Sequence, residues 1–533
     1  MKLFIKIILL NLLLFSSLFS NDLESELQPF TKSYSFRQKE QMIQKLSQQY
    51  AGKEVLRTLF TALLAENLYF IKASKAFVVV VKKDADTYEI MDLMTKKPLK
   101  PMSKYLLKRV KTNNKLRSIT RARLADLNLF SKDKKIRLKS AKNILKNLNQ
   151  NSMTLIDKAL KSEKDTSVIK VLGEAKSILQ VNYGTPAEQL VAVKKLGNFL
   201  SPQALEALQK IHDKSKNKEI KKQAATSIAS IKSQKSIYAF IEKAFFGLSL
   251  GSILLLAAMG LAITFGVMKV INMAHGEMMM IGAYTTYTLQ QLLPNMIEYS
   301  VILAIPLAFI VSGLVGLIIE RLVIRHLYGR PLETLLATFG ISLILQQLVR
   351  SIYSPLNQEV KTPQWMSGAW EINSALSITY NRLYIIIFAL LVFAGVLLLL
   401  NKTSLGLKVR AVTQNREMAQ AMGIKTGLID ALTFALGSGI AGVAGVALSQ
   451  LTNVGPNLGQ SYIIDSFMVV VFGGVGNLWG TLISALTLGE ITKFIEPVAG
   501  AVLAKVIILV FIILFIQKRP RGLFPQKGRD AQD

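Results

Sequence analysis

The pattern of apolar positions divides this chain into two dissimilar parts. From about residue 28 to 236, apolar residues recur at the spacing of short amphipathic helices, with one candidate strand at 76–81. Nine apolar segments follow Lys243, at about 246–267, 275–293, 301–323, 334–352, 383–400, 428–450, 461–476, 479–495 and 498–516. Because a spanning helix needs about 20 apolar residues, we predict an all-α protein, a polytopic membrane helix bundle of eight or nine segments preceded by a helical domain.

The first residues have the pattern of a secretion signal. Lys2 and Lys6 precede an apolar run, and small serines precede the polar residues Asn21 and Asp22. We predict a signal peptide at 1–20, a basic extracytoplasmic helical domain at 21–240, a transmembrane domain at 241–520 and a basic cytoplasmic tail at 521–533. A retained signal anchor is the alternative for residues 1–20.

Two stretches of the first part are similar enough to be copies of one unit. They run over 136–170 and 188–222, an offset of about 52 residues. Each pattern predicts a helix, a turn, a second helix, a polar link and a third helix. This arrangement is typical of HEAT-like stacking, in which neighbouring repeats bury each other's apolar faces.

Charge is concentrated in the first part. Of the net charge of +31, residues 1–245 contribute +25 and the remainder +6. The chain has no helix-turn-helix, RRM, KH or zinc-finger signature, and secretion would separate this part from nucleic acid, so we predict no nucleic-acid partner. A solvated basic surface and a contact with the outer leaflet or a binding protein remain as alternatives. Cysteine is absent, which excludes disulfides and thiolate metal sites, and we predict no bound cofactor or metal.

Basic residues in the short loops predict the orientation of the second part. Placing residues 402–425 in the cytoplasm also places the C-terminal tail there, together with 14 of the 19 basic residues of this part. An odd number of crossings then puts residues 21–245 outside.

The loop RAVTQNREMAQAMGIK, residues 410–425, is basic and amphipathic although it lies between two apolar segments. A single helix over it would align Ala411, Met418, Ala421 and Met422 on one stripe and would end at Gly423. A loop of this kind in a membrane protein indicates a docking site for a soluble partner.

Polar residues inside apolar segments are costly, and they are therefore candidates for a solute path. They concentrate around the start of the second apolar segment, 275–293, and of the seventh, 461–476, each of which follows a glycine-rich segment. Interrupted segments at matching positions in the two halves of a transporter are the best sequence pointer to its substrate site. The candidate path residues are Asn272, His275, Glu277, Tyr284, Asn453, Asn457, Gln460 and Asp465. Side-chain amides both donate and accept hydrogen bonds, which favours a small neutral solute such as urea. For each residue a purely structural hydrogen bond is the alternative.

Small residues at helical spacing predict close helix packing. They are Gly247 and Gly251 in the first apolar segment, and Gly437, Ala441 and Gly445 in the sixth. The sequence GLSLG from Gly247 also matches the hydrolase pattern G-x-S-x-G, but it lacks the strand–turn–helix context of that motif. Neither H-E-x-x-H nor G-x-x-x-x-G-K-[ST] occurs, so we predict no enzyme activity and no ATPase site in this chain.

The second part resembles the branched-chain amino-acid-type ABC permeases along nearly its whole length, in GVMKVINMAHGEMMMIGAYTTY, ERLVIRHLYGRPLETLLATFG, VVVFGGVGNLWG and KRPRGLF. With its long secreted extension it resembles, more specifically, the urea-transporter permeases of that family. The resemblance implies a bacterial inner-membrane subunit that works with a second permease, two cytoplasmic ATPases using ATP and magnesium, and a periplasmic solute-binding protein. It implies that Glu417, Ala419, Ala421 and Gly423, beside Arg416, form the ATPase-coupling loop, with Met418 where the family pattern has alanine.

Three other functions remain open at this point. A branched-chain amino-acid ABC permease differs only in its solute. An ATP-independent urea or amide channel would have no use for the basic loop at 410–425. An intramembrane enzyme is disfavoured, because the chain has no cysteine and only three histidines.

Overall fold

The computed structural model describes residues 26–31, 35–49, 54–84, 86–150 and 152–525. The predicted signal peptide and most of the predicted tail, beyond residue 525, lie outside the described residues. The chain divides into two compact units, Met1–Ser233 and Gln234–Asp533.

The described residues of the first unit are mostly helical. The helices are α1 (Phe36–Gln49), α2 (Glu54–Leu64), α3 (Asn114–Asn128), α4 (Lys134–Lys146), α5 (Ser152–Ser162), α6 (Thr166–Tyr183), α7 (Pro186–Leu196), α8 (Pro202–Lys214) and the start of α9 (Lys218–Met268). Side-chain caps fix several of their first turns: Asp165 accepts from the backbone at the start of α6, and Thr185 forms a capping box with Glu188 at the start of α7.

A five-stranded antiparallel sheet lies between α2 and α3. Its strands are β1 (Leu68–Ile71), β2 (Phe77–Lys83), β3 (Thr87–Asp92), β4 (Met102–Ser103) and β5 (Leu107–Arg109), in the order β4-β3-β2-β1-β5. The sequence predicted only the strand at 76–81, which corresponds to β2. The other four are two to six residues long, too short for a clear period-two pattern. The predicted helical domain is therefore corrected by the addition of a small sheet.

The two similar stretches form similar helix triplets. The helices α7, α8 and α9 begin 52, 50 and 52 residues after α4, α5 and α6. The helix α6 packs against α4 and α5 of its own triplet and against α7 and α8 of the next. Buried Val168, Leu172 and Ala175 of α6 share one apolar cluster with Ile156 and Ala159 of α5. The third helix of the first triplet thus packs within its own triplet and also against the next one, as neighbouring repeats do.

The second unit is a helix bundle. Besides the end of α9 it contains α10 (His275–Leu292), α11 (Ile297–Leu322), α12 (Pro331–Tyr353), α13 (Tyr380–Lys402), α14 (Ser404–Gln414), α15 (Arg416–Ala421), α16 (Thr426–Ser449), α17 (Leu458–Gly473), α18 (Leu478–Ala499) and α19 (Ala501–Lys518). A hairpin of β6 (Ala369–Asn373) and β7 (Leu376–Thr379) precedes α13. Each of the nine predicted apolar segments is a helix, which confirms the predicted polytopic bundle.

Six helical stretches among the described residues are long and apolar enough to cross a membrane. They are Lys218–Met268, Pro294–His326, Pro331–Tyr353, Tyr380–Lys402, Thr426–Ser449 and Ala501–Lys518. The protein buries 83% of the apolar window of α9 and 89% of that of α16, but only 17% of that of α19. The helices α9 and α16 therefore form the centre of the bundle, and α19 has an outward apolar face suited to lipid.

Glycines let the central helices approach closely. A Cβ atom on Gly437 of α16 would lie 2.7 Å from the Gly260 carbonyl oxygen of α9, and one on Gly445 would lie 2.8 Å from the Ala283 backbone nitrogen of α10. On the other side of α9, a Cβ on Gly251 would lie 2.8 Å from the Ala485 carbonyl oxygen of α18. Gly247 faces Glu490 of α18, and Ala441 is buried.

Gly445→Ala should destabilise the bundle, because the added methyl group has no space between α16 and α10. We expect a loss of about 1–3 kcal/mol, the usual cost of overpacking a core. The measurement is the midpoint of thermal unfolding of the detergent-purified protein. Gly340→Ala in α12 is the matched control, since a Cβ there meets nothing within 4 Å. Equal unfolding midpoints for the two variants would contradict this packing.

Candidate functional site

The two polar, interrupted segments of the sequence meet in the structure. The helix α10 begins at His275 and α17 begins at Leu458, each directly after its polar loop. A Cβ atom on Gly276 would lie 2.8 Å from the carbonyl carbon of Gly459, so the first turns of these two helices touch. Their positive N-terminal ends are thus close together, inside an otherwise apolar bundle.

Asn272 and His275 hold the first turn of α10 in place. The Asn272 side-chain oxygen accepts a hydrogen bond from the Ala274 backbone at 3.0 Å. His275 is fully buried, and its Nε2 donates to the Ala257 carbonyl oxygen at 2.9 Å. Ala257 lies near the middle of the apolar part of α9, so α10 begins beside the middle of that helix. Both residues therefore have structural contacts that position the site.

Glu277, in the same turn, faces α12. It is 1% exposed, and its Oε1 accepts from the Ser342 hydroxyl at 2.9 Å and from the Gln346 amide at 2.8 Å. Its Oε2 has no hydrogen-bond partner among the described residues. A buried carboxylate oxygen of this kind favours a ligand that donates a hydrogen bond.

Tyrosines extend this polar face along α10 and α12. The ring centroids of Tyr284 and Tyr353 are 4.7 Å apart, and those of Tyr287 and Tyr353 are 6.1 Å apart. The Tyr353 and Thr288 hydroxyls lie 2.7 Å apart, and the Tyr287 hydroxyl donates to the Gln358 side chain at 3.2 Å. The three rings form one aromatic cluster, two turns beyond Glu277 along α10.

The second polar segment, which precedes α17, contacts the same face through Asn457. The Asn457 side-chain oxygen accepts from Arg350 of α12 at 2.8 Å, and Arg350 is close enough to act electrostatically on Glu277. Asn453 and Gln460 are exposed. The site thus comprises α10, α12 and the start of α17, and the name α10–α12 face is used below for Glu277, Tyr284, Ser342, Gln346 and Tyr353.

Asp465, also predicted as a path residue, lies apart from the α10–α12 face. Its carboxylate pairs with Lys505 of α19 at 2.8 Å. Together with Lys493 and Glu496 it lines a separate cavity of about 220 Å³ between α9, α17, α18 and α19. The sequence could not show this, because Lys505 lies in a different apolar segment.

The residues that α12 contributes were missed by the sequence analysis. Ser342, Gln346 and Arg350 recur at four-residue intervals within an apolar helix, so they lie on one side of it. This four-residue interval could have indicated a polar face. It was missed because the three residues lie outside the two segments singled out for their glycines and asparagines.

The predicted coupling loop is broken into two helices. Asn415 is extended, with φ −157°, and its side chain accepts from the Met418 backbone at 2.9 Å, so it ends α14 and caps α15. The single amphipathic helix predicted over 410–425 is therefore wrong. Gly423 follows α15 with φ +83°, a conformation that favours glycine.

The helices α14 and α15 bury an apolar contact between them and expose other apolar side chains on the surface of α15. Ala419 is buried against Val409 and Val412 of α14. Met418 is 59% exposed and Met422 is 77% exposed. Glu417 and Ala421 are also exposed, so these four residues, named here the α15 surface, are accessible to a partner.

Arg416 is turned inward. Its guanidinium forms two contacts with the fully buried Asp430 of α16, one of them 3.3 Å from Nη1 to Oδ1. It also stacks on the ring of Tyr328, with its central carbon 4.6 Å from the ring centroid. Burial raises the pKa of Tyr328, and the carboxylates of Asp430 and Glu320 raise it further, so the phenol stays neutral. Arg416 thus ties α15 to the bundle.

Comparisons with known proteins agree with this division of the chain. A family model described as "Branched-chain amino acid transport system / permease component" matches residues 243–516. The chain is 32% identical over 297 residues to the branched-chain amino acid transport permease BraD of Pseudomonas aeruginosa, covering 96% of that protein and 54% of this chain. It is 30% identical over 301 residues to the permease LivH of Salmonella typhimurium, covering 97% of that protein and 55% of this chain. No solved structure matches the chain.

Glu277→Ala should lower the stability of the bundle, because it removes the buried oxygen that accepts from both Ser342 and Gln346 and leaves these two side chains only their mutual contact at 3.4 Å. We expect a loss of about 1–3 kcal/mol for unsatisfied polar groups, measured by thermal unfolding in detergent. Glu277→Gln should cost less, since its amide oxygen can still accept. Glu333→Gln, at an exposed carboxylate, is the control. A larger loss for Glu277→Gln than for Glu277→Ala would contradict this hydrogen-bond assignment.

Proposed function

Because this chain belongs to the family of branched-chain amino acid transport permeases, we propose that it is the permease subunit of an ATP-driven importer for urea or a related small amide. In this proposal it forms the solute path with a second permease. Two cytoplasmic ATPases hydrolyse ATP, and an extracytoplasmic binding protein delivers the solute. The chain itself contributes the path and the surface on which the ATPases act.

The buried free oxygen of Glu277 carries the choice of solute. Around it lie the Ser342 hydroxyl, the Gln346 amide and the tyrosine rings, a neutral donor and acceptor set with one anionic acceptor. Urea has four N–H donors and one acceptor oxygen, and it matches a site that combines a carboxylate oxygen with amide and hydroxyl groups. Arg350, a cation that acts electrostatically on Glu277, is already bonded to Asn457.

A branched-chain amino acid is the second candidate, and one specific observation favours it. Arg350 and Glu277 provide one positive and one negative group on the same face. An amino acid would pair its ammonium with the Glu277 oxygen and its carboxylate with Arg350. The names of the similar permeases from Pseudomonas and Salmonella also mention branched-chain amino acids.

The orientation follows from the loop charges. We place the α15 surface and the C-terminal tail in the cytoplasm and the first unit on the opposite side. The exposed methionines Met418 and Met422, beside Glu417, support a docking role, because exposed apolar side chains in a basic loop are typical of a protein contact.

The experiment that tests the solute is uptake into proteoliposomes containing the purified complex, with its binding protein outside and ATP inside. We expect ATP-dependent accumulation of radiolabelled urea and little accumulation of leucine. Leucine uptake without urea uptake would identify the second candidate. Urea uptake that persists without the ATPases would identify a channel and would overturn the importer.

Met422→Asp should abolish ATP-driven uptake while leaving membrane insertion intact, because a desolvated charge at a docking surface opposes association. Glu417→Lys should act in the same direction by reversing the local charge. The measurements are co-purification of the ATPases and the uptake rate, which we expect to fall by about tenfold or more. Met296→Asp, at an exposed methionine before α11, is the matched control and should retain uptake. Normal uptake in both test variants would remove the α15 surface from the coupling role.

A further inference from the structure

Two buried carboxylates lie at the same end of the α11–α16 helix pair, and only one of them is paired by an arginine of the coupling loop. Glu320 is in the last turn of α11 and Asp430 is near the start of α16. Both are 0% exposed. The two helices are in close contact, with Ser438 of α16 packed onto Gly316 one turn before Glu320.

Asp430 is fully engaged. Arg416 contacts both of its oxygens, in the two-pronged geometry that makes arginine–carboxylate pairs strong. The stack of the guanidinium on Tyr328 adds a second fixed contact for the same cation. Arg416 is the first residue of α15, so this pair attaches the surface helix to α16.

Glu320 is buried without equivalent partners. Neither of its carboxylate oxygens has a hydrogen bond within the described part of the chain. Its chain neighbour Arg321 forms an ion pair with it, with 3.7 Å between Arg321 Nε and Glu320 Oε2, but the Arg321 side chain is 41% exposed. A buried carboxylate in this situation is costly, and its cost falls when a cation with N–H donors reaches it.

Arg321, Asp430, Arg325 and Arg416 all act electrostatically on Glu320. Of these three arginines, Arg416 is the one that already holds the neighbouring carboxylate Asp430, and it lies on a separate short helix and not in the chain next to Glu320. Arg416 is 37% exposed at its side chain and lies on a six-residue helix at the surface, whereas both carboxylates lie on long packed helices. Of the three groups, the arginine is therefore the one whose element can move.

We propose that Arg416 alternates between Asp430 and Glu320, and that this exchange transmits movement of α15 to α11. The inference rests on the proposed function, in which ATPases push on the α15 surface. In the state described here Arg416 is bound to Asp430, which ties α15 to α16. In the other state it is bound to Glu320, which ties α15 to α11. Glu320 is a positioning residue that acts through Arg416.

This two-acceptor arrangement makes a prediction that a static structural role does not make. Removing either carboxylate should shift the conformational equilibrium, and the two shifts should have opposite signs, because each substitution weakens a different state. Glu320→Gln should favour the state with Arg416 on Asp430. Asp430→Asn should favour the other state.

The absence of cysteine from the chain allows these states to be measured with spin labels. One label is placed at Gln414→Cys, two residues before Arg416, and the other at Leu322→Cys, two residues after Glu320. Both positions are exposed. A second pair joins Gln414→Cys to Leu428→Cys, two residues before Asp430 and also exposed. Distance distributions are measured in the purified complex, with and without ATP and vanadate.

We expect trapped nucleotide to shorten the 414–322 distance and to lengthen the 414–428 distance. Glu320→Gln should prevent the shift and reduce uptake by about tenfold or more, while the ATPases still co-purify. Asp430→Asn should show the shifted distances without nucleotide. Glu333→Gln should behave as the unmodified protein. Shifts of the same sign in Glu320→Gln and Asp430→Asn, or no shift in either, would overturn the proposal.

A second variant protects the test if Asp430→Asn does not accumulate. In Arg416→Gln the shared cation is missing, so adding Glu320→Gln should change neither distance further. An effect of Glu320→Gln that persists in the Arg416→Gln background would show that Glu320 acts without Arg416. A complex that lacks ATP-driven uptake of any tested solute would refute the proposed function. The opposite distance shifts of Glu320→Gln and Asp430→Asn can still be measured without nucleotide, so the two failures are distinguishable.

Discussion

Polar groups buried in the bundle need partners within the protein, because the hydrocarbon that surrounds the bundle supplies none. This constraint accounts for the contacts on which the second unit depends. His275 bonds a backbone carbonyl of α9, Glu277 bonds two side chains of α12, and Arg416 bonds Asp430 of α16. Each polar residue thus links two helices and fixes their relative position. Among the described residues, Glu277 and Glu320 have buried carboxylate oxygens without a hydrogen bond, and it is there that solute binding and movement are proposed.

Close packing makes these links possible. The start of α10 fits beside the middle of α9 because Gly260 leaves room for the imidazole, with a Cβ there lying 2.9 Å from His275 Cε1. Gly276 and Gly459 allow the first turns of α10 and α17 to touch. Without these glycines the two polar segments would be held apart by the width of side chains. The close glycine contacts between helices therefore determine where the polar segments lie, although the glycines supply no polar side chain themselves.

The sequence indicated the helices well and the polar contacts less well, for physical reasons. Long apolar runs have no alternative to a helix, so all nine were found. The break at Asn415 was missed because the apolar periodicity continues across it, while a single side chain capping Met418 decides the backbone. Pairs such as Asp465 with Lys505 form because α17 and α19 are neighbours. The periodicity of a sequence does not show which helices are neighbours. The short strands around β2 were missed for the same reason, since pairing and not pattern defines them.

The helix α12 connects the two polar centres of the second unit. The loop before it carries Tyr328, on which Arg416 stacks, and its own later turns carry Ser342 and Gln346, which hold Glu277. Between them, the Thr338 hydroxyl accepts from the Met273 backbone in the loop that leads into α10. The proposed exchange of Arg416 would remove its stack on Tyr328, just before the helix that supports Glu277, and packed helices respond to displacements by shifting as units. Arg416 and Glu277 are connected through this helix and the loop before it, which is the route by which the proposed change of partner would reach Glu277.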